Sequence, residues 1–337
     1  MISMANRLRR SRWEQWLAAL CILACGVAPV AAQGWKPGKA IEIVAPTTPG
    51  GSVDLSARML QKIFQDSGLL TVTVTVTNKP GGGGALSLVY LNQHAGDAHY
   101  LAVNTPNIVA NDLNGRAQVR YTEVTPLATL ADQYTVVAVR VDSALRTGQD
   151  FIDQLRKNPG SLAVSTPTTL GSTNHLSFAL IARAAGIDVR KLKAVILGSG
   201  ADGATAVLGG HVDAHVGTTS SVIKLVEAGK LRVLAIAAPR RIGAPYESTP
   251  TWTELGYPVV LGTWRGVIGP RGLTREQIAF WNDVLAKAMK TEIWKQALRD
   301  NEWEANYLDS AGTKKLLDAE YAKYRSILAD LGLIKEK

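Results

Sequence analysis

Cysteine is almost missing from this chain. Only Cys21 and Cys25 occur in 337 residues, both near the N-terminus. A disulfide-dense scaffold and a four-cysteine zinc site are therefore excluded. Long apolar runs are also lacking. Past residue 32 no stretch stays apolar for the about 18 residues a membrane helix needs, so a polytopic membrane protein is not expected. Aromatic residues make up 6% and interleave with no basic run. The 37 Lys and Arg are dispersed, so a formal charge of +9 against 28 Asp and Glu is no nucleic-acid footprint. Neither G-x-x-x-x-G-K-[ST] nor a G-x-S-x-G elbow is present. What remains, 46% hydrophobic and 19% charged, is the composition of a globular protein with room for two domains.

The N-terminus reads as an address. Arg7, Arg9, Arg10 and Arg12 precede an uncharged run from Trp16 to Ala32, and Val30-Ala31-Ala32 supplies small residues before Gln33. This order predicts a secretory signal peptide, residues 1–32, cleaved after Ala32. Two variants stay open: a lipoprotein box at Ile22-Leu23-Ala24-Cys25-Gly26, which would place lipid on Cys25, and a twin-arginine signal at Arg9-Arg10. Cleavage removes four Arg and one Glu, so 337 − 32 = 305 residues remain with a charge of +6 and no cysteine. That suits a periplasmic protein in an oxidising compartment.

Strand, glycine turn and helix then repeat. Strands are expected at Ile41–Ala45, Leu70–Thr77, Tyr100–Val103, Tyr134–Val141, Leu162–Ser165, Lys193–Leu197, Val212–Val216 and Leu231–Ala237. Helices are expected at Asp54–Gln65, Ala85–Asn92, Gln149–Lys157, His175–Ala185 and Asp202–Leu208. Another runs from Thr274 to Lys290, and the last starts at Asp309 or Ser310. In that last helix Leu317, Tyr321, Tyr324, Leu328 and Leu331 make an amphipathic stripe. The pattern predicts α/β architecture with about ten mainly parallel strands in two sheets.

The glycines sit between strands and helices, in the segments Pro49–Asp54, Pro80–Ala85, Leu170–His175 and Gly198–Gly203. Glycine there admits a ligand to the backbone, and each following helix presents free N–H groups and a positive dipole end. Converging turns would bind a carboxylate or phosphate without a dedicated Arg; the alternative is ordinary tight turns with N-caps. Gly198-Ser199-Gly200-Ala201-Asp202-Gly203 matches G-x-G-x-x-G, yet no acidic residue ends a strand about 20 positions on, so no dinucleotide is expected. His211 and His215 alternate as on a strand, too far apart to share one metal. A pair such as Ser177 with His175 has no catalytic motif around it. No cofactor and no metal are expected.

Six segments in order resemble the Bug family, the extracytoplasmic receptors of tripartite tricarboxylate transporters. They are Pro49-Gly50-Gly51-Ser52-Val53-Asp54 with Ala57-Arg58, Asn78–Gly84, Gly171-Ser172-Thr173-Asn174-His175-Leu176, Leu208–Asp213, Ala228–Ala235 and Trp264-Arg265-Gly266-Val267-Ile268-Gly269-Pro270. The resemblance spans Lys36 to Leu333. It implies a type II periplasmic binding protein, α/β and two-domain, with the ligand cleft between the domains. Domain 1 would comprise residues 33–132 and 258–337 and domain 2 residues 133–257, with crossings near Gln133 and Tyr257.

The ligand's proximal carboxylate would meet Thr48, Gly50, Gly51, Ser52, Asp54, Gly83 and Ala85, with Asn104 and Thr105 on the same rim. Domain 2 would offer Gly171, Ser172, Thr173 and His175, with Ser199, Gly200 and Asp202 beside them. Asp54 also reads as a helix-start residue, Asp213 as a strand-end structural carboxylate and Arg265 as a hinge salt-bridge partner. Thr47-Thr48-Pro49, Leu197–Gly200 and Gly82-Gly83-Gly84 depart from the family's usual pocket residues, so ligand identity does not transfer. The reading is a monomeric periplasmic receptor that closes on a small carboxylate and serves membrane transporter subunits, without catalysis. Its rivals are an exported α/β hydrolase-like enzyme and a receptor for a sensor protein.

Overall fold

Alternation of strand, glycine turn and helix carries through to the three-dimensional structure, a computed structural model that describes residues 34–330 and 332–334. The anticipated signal segment, Cys25 and Leu331 lie outside the described residues. Of the unit Met1–Trp35 only Gly34 and Trp35 are described; the unit from Lys36 onward carries the fold.

In chain order the first elements are β1 (Ile41–Ala45), α1 (Ser52–Asp66), β2 (Val74–Asn78), α2 (Ala85–Asn92), β3 (Tyr100–Asn104) and α3 (Asn107–Leu113). The middle holds β4 (Thr125–Arg140), α4 (Gly148–Lys157), β5 (Ala163–Pro167), α5 (Thr173–Ala184), β6 (Lys193–Leu197), α6 (Gly200–Leu208), β7 (Ala214–Thr218), α7 (Thr219–Glu227) and β8 (Leu231–Ile236). The last part holds β9 (Gly262–Gly269), α8 (Arg275–Ala288), α9 (Glu292–Asn301), β10 (Glu304–Leu308) and α10 (Ser310–Asp330). Caps set several helix starts. The Thr147 and Thr274 hydroxyls accept from the Asp150 and Gln277 amides, and both ends are capping boxes.

The strands form one continuous path, β2-β1-β3-β9-β4-β7-β5-β6, with β8 and β10 also paired to β4. The pairings fall into two sheets, as expected, joined through β4, but they are mixed rather than mainly parallel. β1 pairs in parallel with β2 and β3, and β5 with β6 and β7, but every pairing of β4 and β9 is antiparallel. The reason is β4, which starts at Thr125 rather than Tyr134. Pro126 conceals it in sequence, because proline usually ends a strand; here it sits beside a register shift that removes the need for its missing N–H. From Thr125 to Tyr134 the strand pairs with β9, and from Thr135 to Arg140 with β7 and β8.

Three apolar clusters hold the layers. One packs Phe151, Phe178 and Trp252 between α4, α5 and the sheet, and another gathers Val207, Val222 and Tyr246 under α6 and α7. The third joins Val44, Ile108 and Trp264 to Leu317, Tyr324 and Leu328 of α10 and to Leu176 and Ala179 of α5. The C-terminal stripe is thus a docking face, each large side chain contributing about 1.5–3 kcal/mol on burial. Trp252 is fully buried, so Trp252→Ala would cost about 3–5 kcal/mol. Among the described residues no helix is long and apolar enough to cross a membrane.

Candidate functional site

The parallel strands β1, β3, β5, β6 and β7 all deliver their C-terminal ends to one cavity. With its open mouth counted it encloses about 560 Å³ of space not filled by atoms. Four helix starts meet there: Gly51, Ser52 and Val53 of α1, Thr173 and Asn174 of α5, Ser199 and Gly200 of α6, and Thr218 before α7. Gly51 cannot cap α1 with a side chain, so the first amides of that helix have no side-chain acceptor. Converged N-termini make this wall electropositive without formal charge.

The formal charge comes from β9. Alternation along the strand puts Thr263 and Arg265 on the cavity face, while Trp264 and Ile268 turn into the core. Arg265 is 2% exposed. One guanidinium N–H donates to Ser52 Oγ at 2.8 Å, and Nε is buried with no partner. Burial alone lowers its pKa to about 9, which leaves it charged at neutral pH. No carboxylate pairs with it among the described residues, so the hinge salt bridge expected of Arg265 is not formed. Nor is the cavity free of a dedicated arginine, as the glycine turns alone suggested.

Apart from Arg265 the lining is uncharged. Thr168 is part of it with φ of 75°, rare for a β-branched residue. Asn107 fixes this turn. Its Nδ2 donates to Thr168 Oγ1 at 3.2 Å, and its Oδ1 accepts from the Thr173 amide at 3.1 Å and hydroxyl at 3.4 Å. Arg116 donates to the Leu170 carbonyl at 2.8 Å, so α3 and the chain after it brace the loop that leads into α5.

Gly51, Ser52, Gly83, Thr105, Thr173, Ser199 and Gly200, all anticipated from sequence, line the cavity. The other anticipated residues stand behind it or at its edge. Asp54 is 2% exposed and its oxygens are fully engaged, by Gly50 N–H at 2.9 Å, Arg58 Nε at 2.9 Å and Asn78 Nδ2 at 2.8 Å. Burial would raise its pKa, but the hydrogen bonds from Arg58, Gly50 and Asn78 prevail and hold it below the ordinary value. Gly50 is thus an Asp54 donor. Thr48 Oγ1 reaches Asp202 Oδ2 at 3.5 Å on an exposed edge. Ala85 starts α2 and is buried. Asn104 turns its Oδ1 to the Thr105 amide at 2.7 Å. Ser172 caps α5 and donates to the Pro167 carbonyl at 3.0 Å, and Gly171 N–H donates to His175 Nδ1 at 3.0 Å.

As ligand contacts, sequence reasoning left out Asn107, Thr168, Asn174, Thr218 and Thr263; Thr47 was read only as a departure at the expected pocket and Arg265 only as a hinge partner, and all seven line the cavity. A usable signal existed for two of them. Gly217-Thr218-Thr219-Ser220-Ser221 is a hydroxyl-rich strand-to-helix turn, and Arg265 is a lone cation inside an apolar, strand-like run.

The histidines play supporting parts. His215 is fully buried on β7 with Nδ1 at 2.9 Å from Ser165 Oγ, and burial lowers its pKa to about 4. Gly203 and Gly217 make room for it: a Cβ there would lie 2.3 and 2.0 Å from the ring. The third glycine of the G-x-G-x-x-G match therefore serves a side chain, not a pyrophosphate. β7 begins at Ala214 rather than Val212, which leaves His211 exposed before the strand. His175 is lowered to about 4 by burial and by nearby Arg116. Asp213 accepts from the Ala163 amide at 2.7 Å, a strand-end role, and Ser177 Oγ lies 2.6 Å from Thr135 Oγ1.

Residues 57–333 match the family model described as the tripartite tricarboxylate transporter family receptor, TctC. A Cupriavidus necator protein, the UPF0065 protein in the gbd 5' region, is 29% identical over 322 residues, covering 94% of this chain and 95% of its own length. The fold is that of the periplasmic binding protein BugD, with a TM-score of 0.82, 20% identity and coverage of 89% of this chain and 100% of that one. MatC from Rhodopseudomonas palustris with bound malate superposes at a TM-score of 0.79 with 22% identity, covering 87% and 99%.

Proposed function

The chain belongs to the tripartite tricarboxylate transporter receptor family, and from that premise we propose that it is a periplasmic receptor whose cavity holds a small carboxylate against Arg265. One observation carries the reading: a buried guanidinium with no countercharge, at the meeting point of four helix N-termini. Such a group is costly until an anion arrives. A carboxylate would accept from Arg265 Nε, with Ser52 and the first amides of α1 on its other side. Malate in the related MatC structure supports the ligand class.

In this reading residues 33–132 with 258–337, and residues 133–257, are two lobes that close on the ligand. The change of partners along β4 between Tyr134 and Thr135 supports one crossing there. No bond is made or broken; closure turns occupancy into a shape that membrane transporter subunits recognise. Residues 1–32 act as the cleaved export signal and the mature protein is a monomer.

A thermal-shift screen over mono-, di- and tricarboxylates and aromatic acids tests the reading. An acid at 100 times its Kd should add about 2.7 kcal/mol of stability, and small-angle scattering with that acid should show compaction. No stabilisation by any acid sinks the carboxylate assignment. Turnover of ester or amide substrates would favour the exported-enzyme rival.

A further inference from the structure

The turn from Thr168 to Thr173 leads into α5 and belongs, in the two-lobe reading, to residues 133–257. Its seat belongs to the other lobe. Asn107 and Asn111 in α3 and Asn114 at its end stand at i, i+4 and i+7, so one helical face carries all three. Asn111 Nδ2 donates to the Gly82 and Gly83 carbonyls, both at 3.1 Å, and ties that face to the glycine run before α2. Two glycines let the turn settle there. A Cβ on Gly83 would lie 2.6 Å from Thr169 Cγ2, and one on Gly171 would lie 2.8 Å from Asn114 Nδ2.

Asn107 clips both ends of the turn across this seam. Its Oδ1 accepts from the Thr173 amide at 3.1 Å, and its Nδ2 donates to Thr168 Oγ1 at 3.2 Å. A backbone amide can only donate, so the oxygen must face Thr173 and the nitrogen Thr168.

Thr168 needs such support. A φ of 75° is a conformation that a β-branched residue seldom holds, and it persists only where the surroundings over-determine it. Within its own lobe the Thr168 amide donates to the Leu197 carbonyl at 2.7 Å. Its hydroxyl is held from the other lobe, by Asn107. Parting of the lobes would remove that bond and leave the strained backbone free to relax. No acid takes part in any of these contacts.

Resting on the two-lobe reading above, we propose that Asn107 is the latch of the closed form. It is a positioning residue that holds the Thr168–Thr173 turn in place and sets how tightly any acid is held, without selecting which. The apparent affinity of a clamp scales with the fraction of molecules able to close, so loss of the latch weakens all acids by one factor.

Two measurements on the purified protein at pH 7.5 test this. Without ligand, amide hydrogen exchange over residues 168–173 should quicken at least about ten-fold in Asn107→Ala, with β1 and β9 unchanged. In titration calorimetry with malate, succinate, adipate and citrate, Asn107→Ala should weaken every acid that binds the wild type by a common factor of about ten or more, their order kept. Thr168→Gly added to Asn107→Ala removes the strain and should regain at least about three-fold of that affinity, which an asparagine that touches the acid or merely fills space would not allow. Where alanine fails to fold, Asn107→Asp keeps the acceptor for Thr173, loses the donor to Thr168 and should show the same changes at smaller size. Unchanged exchange over 168–173, an altered order of acids or no regain with Thr168→Gly would overturn the latch while the carboxylate reading stands. A wild type that binds acid without compaction in small-angle scattering would remove the two lobes and the latch with them. If no acid binds, the carboxylate reading falls and the exchange result alone decides the latch.

Discussion

Two buried charges flank the start of α1, and only one has a countercharge beside it among the described residues. Asp54, on the side of β2, is met by Gly50, Arg58 and Asn78. Arg265, on the side of β9, has Ser52 on one nitrogen and nothing on Nε. Both sit within one turn of the same helix end, and both are excluded from water. The difference separates a charge that builds the fold from one held ready for a ligand. A carboxylate at a helix N-terminus stabilises it; a second cation there adds nothing to the folded chain alone. Its presence makes sense only with an anion.

The largest expected effect follows from removing the unpaired member. Arg265→Met should weaken binding of the cognate acid at least about 100-fold, near 2.7 kcal/mol, as expected when a buried charge pair loses one partner. The ligand-free protein should be no less stable than wild type, because a desolvated charge is replaced by apolar volume. Urea denaturation of the free protein, beside calorimetry with the ligand, reads both halves. A free protein destabilised by several kcal/mol would make Arg265 a structural partner and erase the contrast.

Asp54→Ala should behave in the opposite way. It strips acceptors from three donors at about 1 kcal/mol each, so the free protein should lose about 3 kcal/mol in urea denaturation. Ligand affinity of the folded fraction should change less than about ten-fold, since the Asp54 oxygens face Gly50, Arg58 and Asn78 rather than the cavity. A loss of binding equal to that of Arg265→Met would return Asp54 to the ligand site.

How much of this was legible in the sequence follows from the same contrast. Glycine turns between strands and helices announce themselves locally, since period and turn chemistry lie within a few residues. Gly51, Ser52, Ser199 and Gly200 were therefore found at the cavity from spacing and resemblance. Asp54 in a first helical turn is equally local. Arg265 is not. On a strand its alternation is the same whether it faces water, a carboxylate or an empty cavity, and its lack of a partner is a property of the folded neighbourhood. Asn107 and Asn174 were hidden likewise, because their partners or vacant atoms depend on contacts made over 60 residues away, as with Asn107 and Thr173. The long β4 was missed because Pro126 breaks a strand by local rules, and only the register shift against β9 makes room for it.

A buried ionisable group that is neither paired nor charged completes the comparison and carries the smallest effect. His175 has a pKa near 4 against an ordinary 6.5, lowered by burial first and by Arg116 second. Between those values the unfolded chain binds a proton that the folded chain refuses, so stability is lost as pH falls from about 6.5 towards about 4 and is whole above that window. At pH 5 the loss from one such histidine is about 1–2 kcal/mol after allowance for partial exposure. His215, held neutral by full burial at a similar value, adds a second share. Thermal melts at pH 7.5 and pH 5 should therefore show a clear acid drop in the wild-type protein. His175→Asn, whose amide carbonyl can still accept from the Gly171 amide, should recover about half of it. A variant with the same drop as wild type would mean that His175 takes up its proton equally in the folded and unfolded chains, and burial would then not hold it neutral.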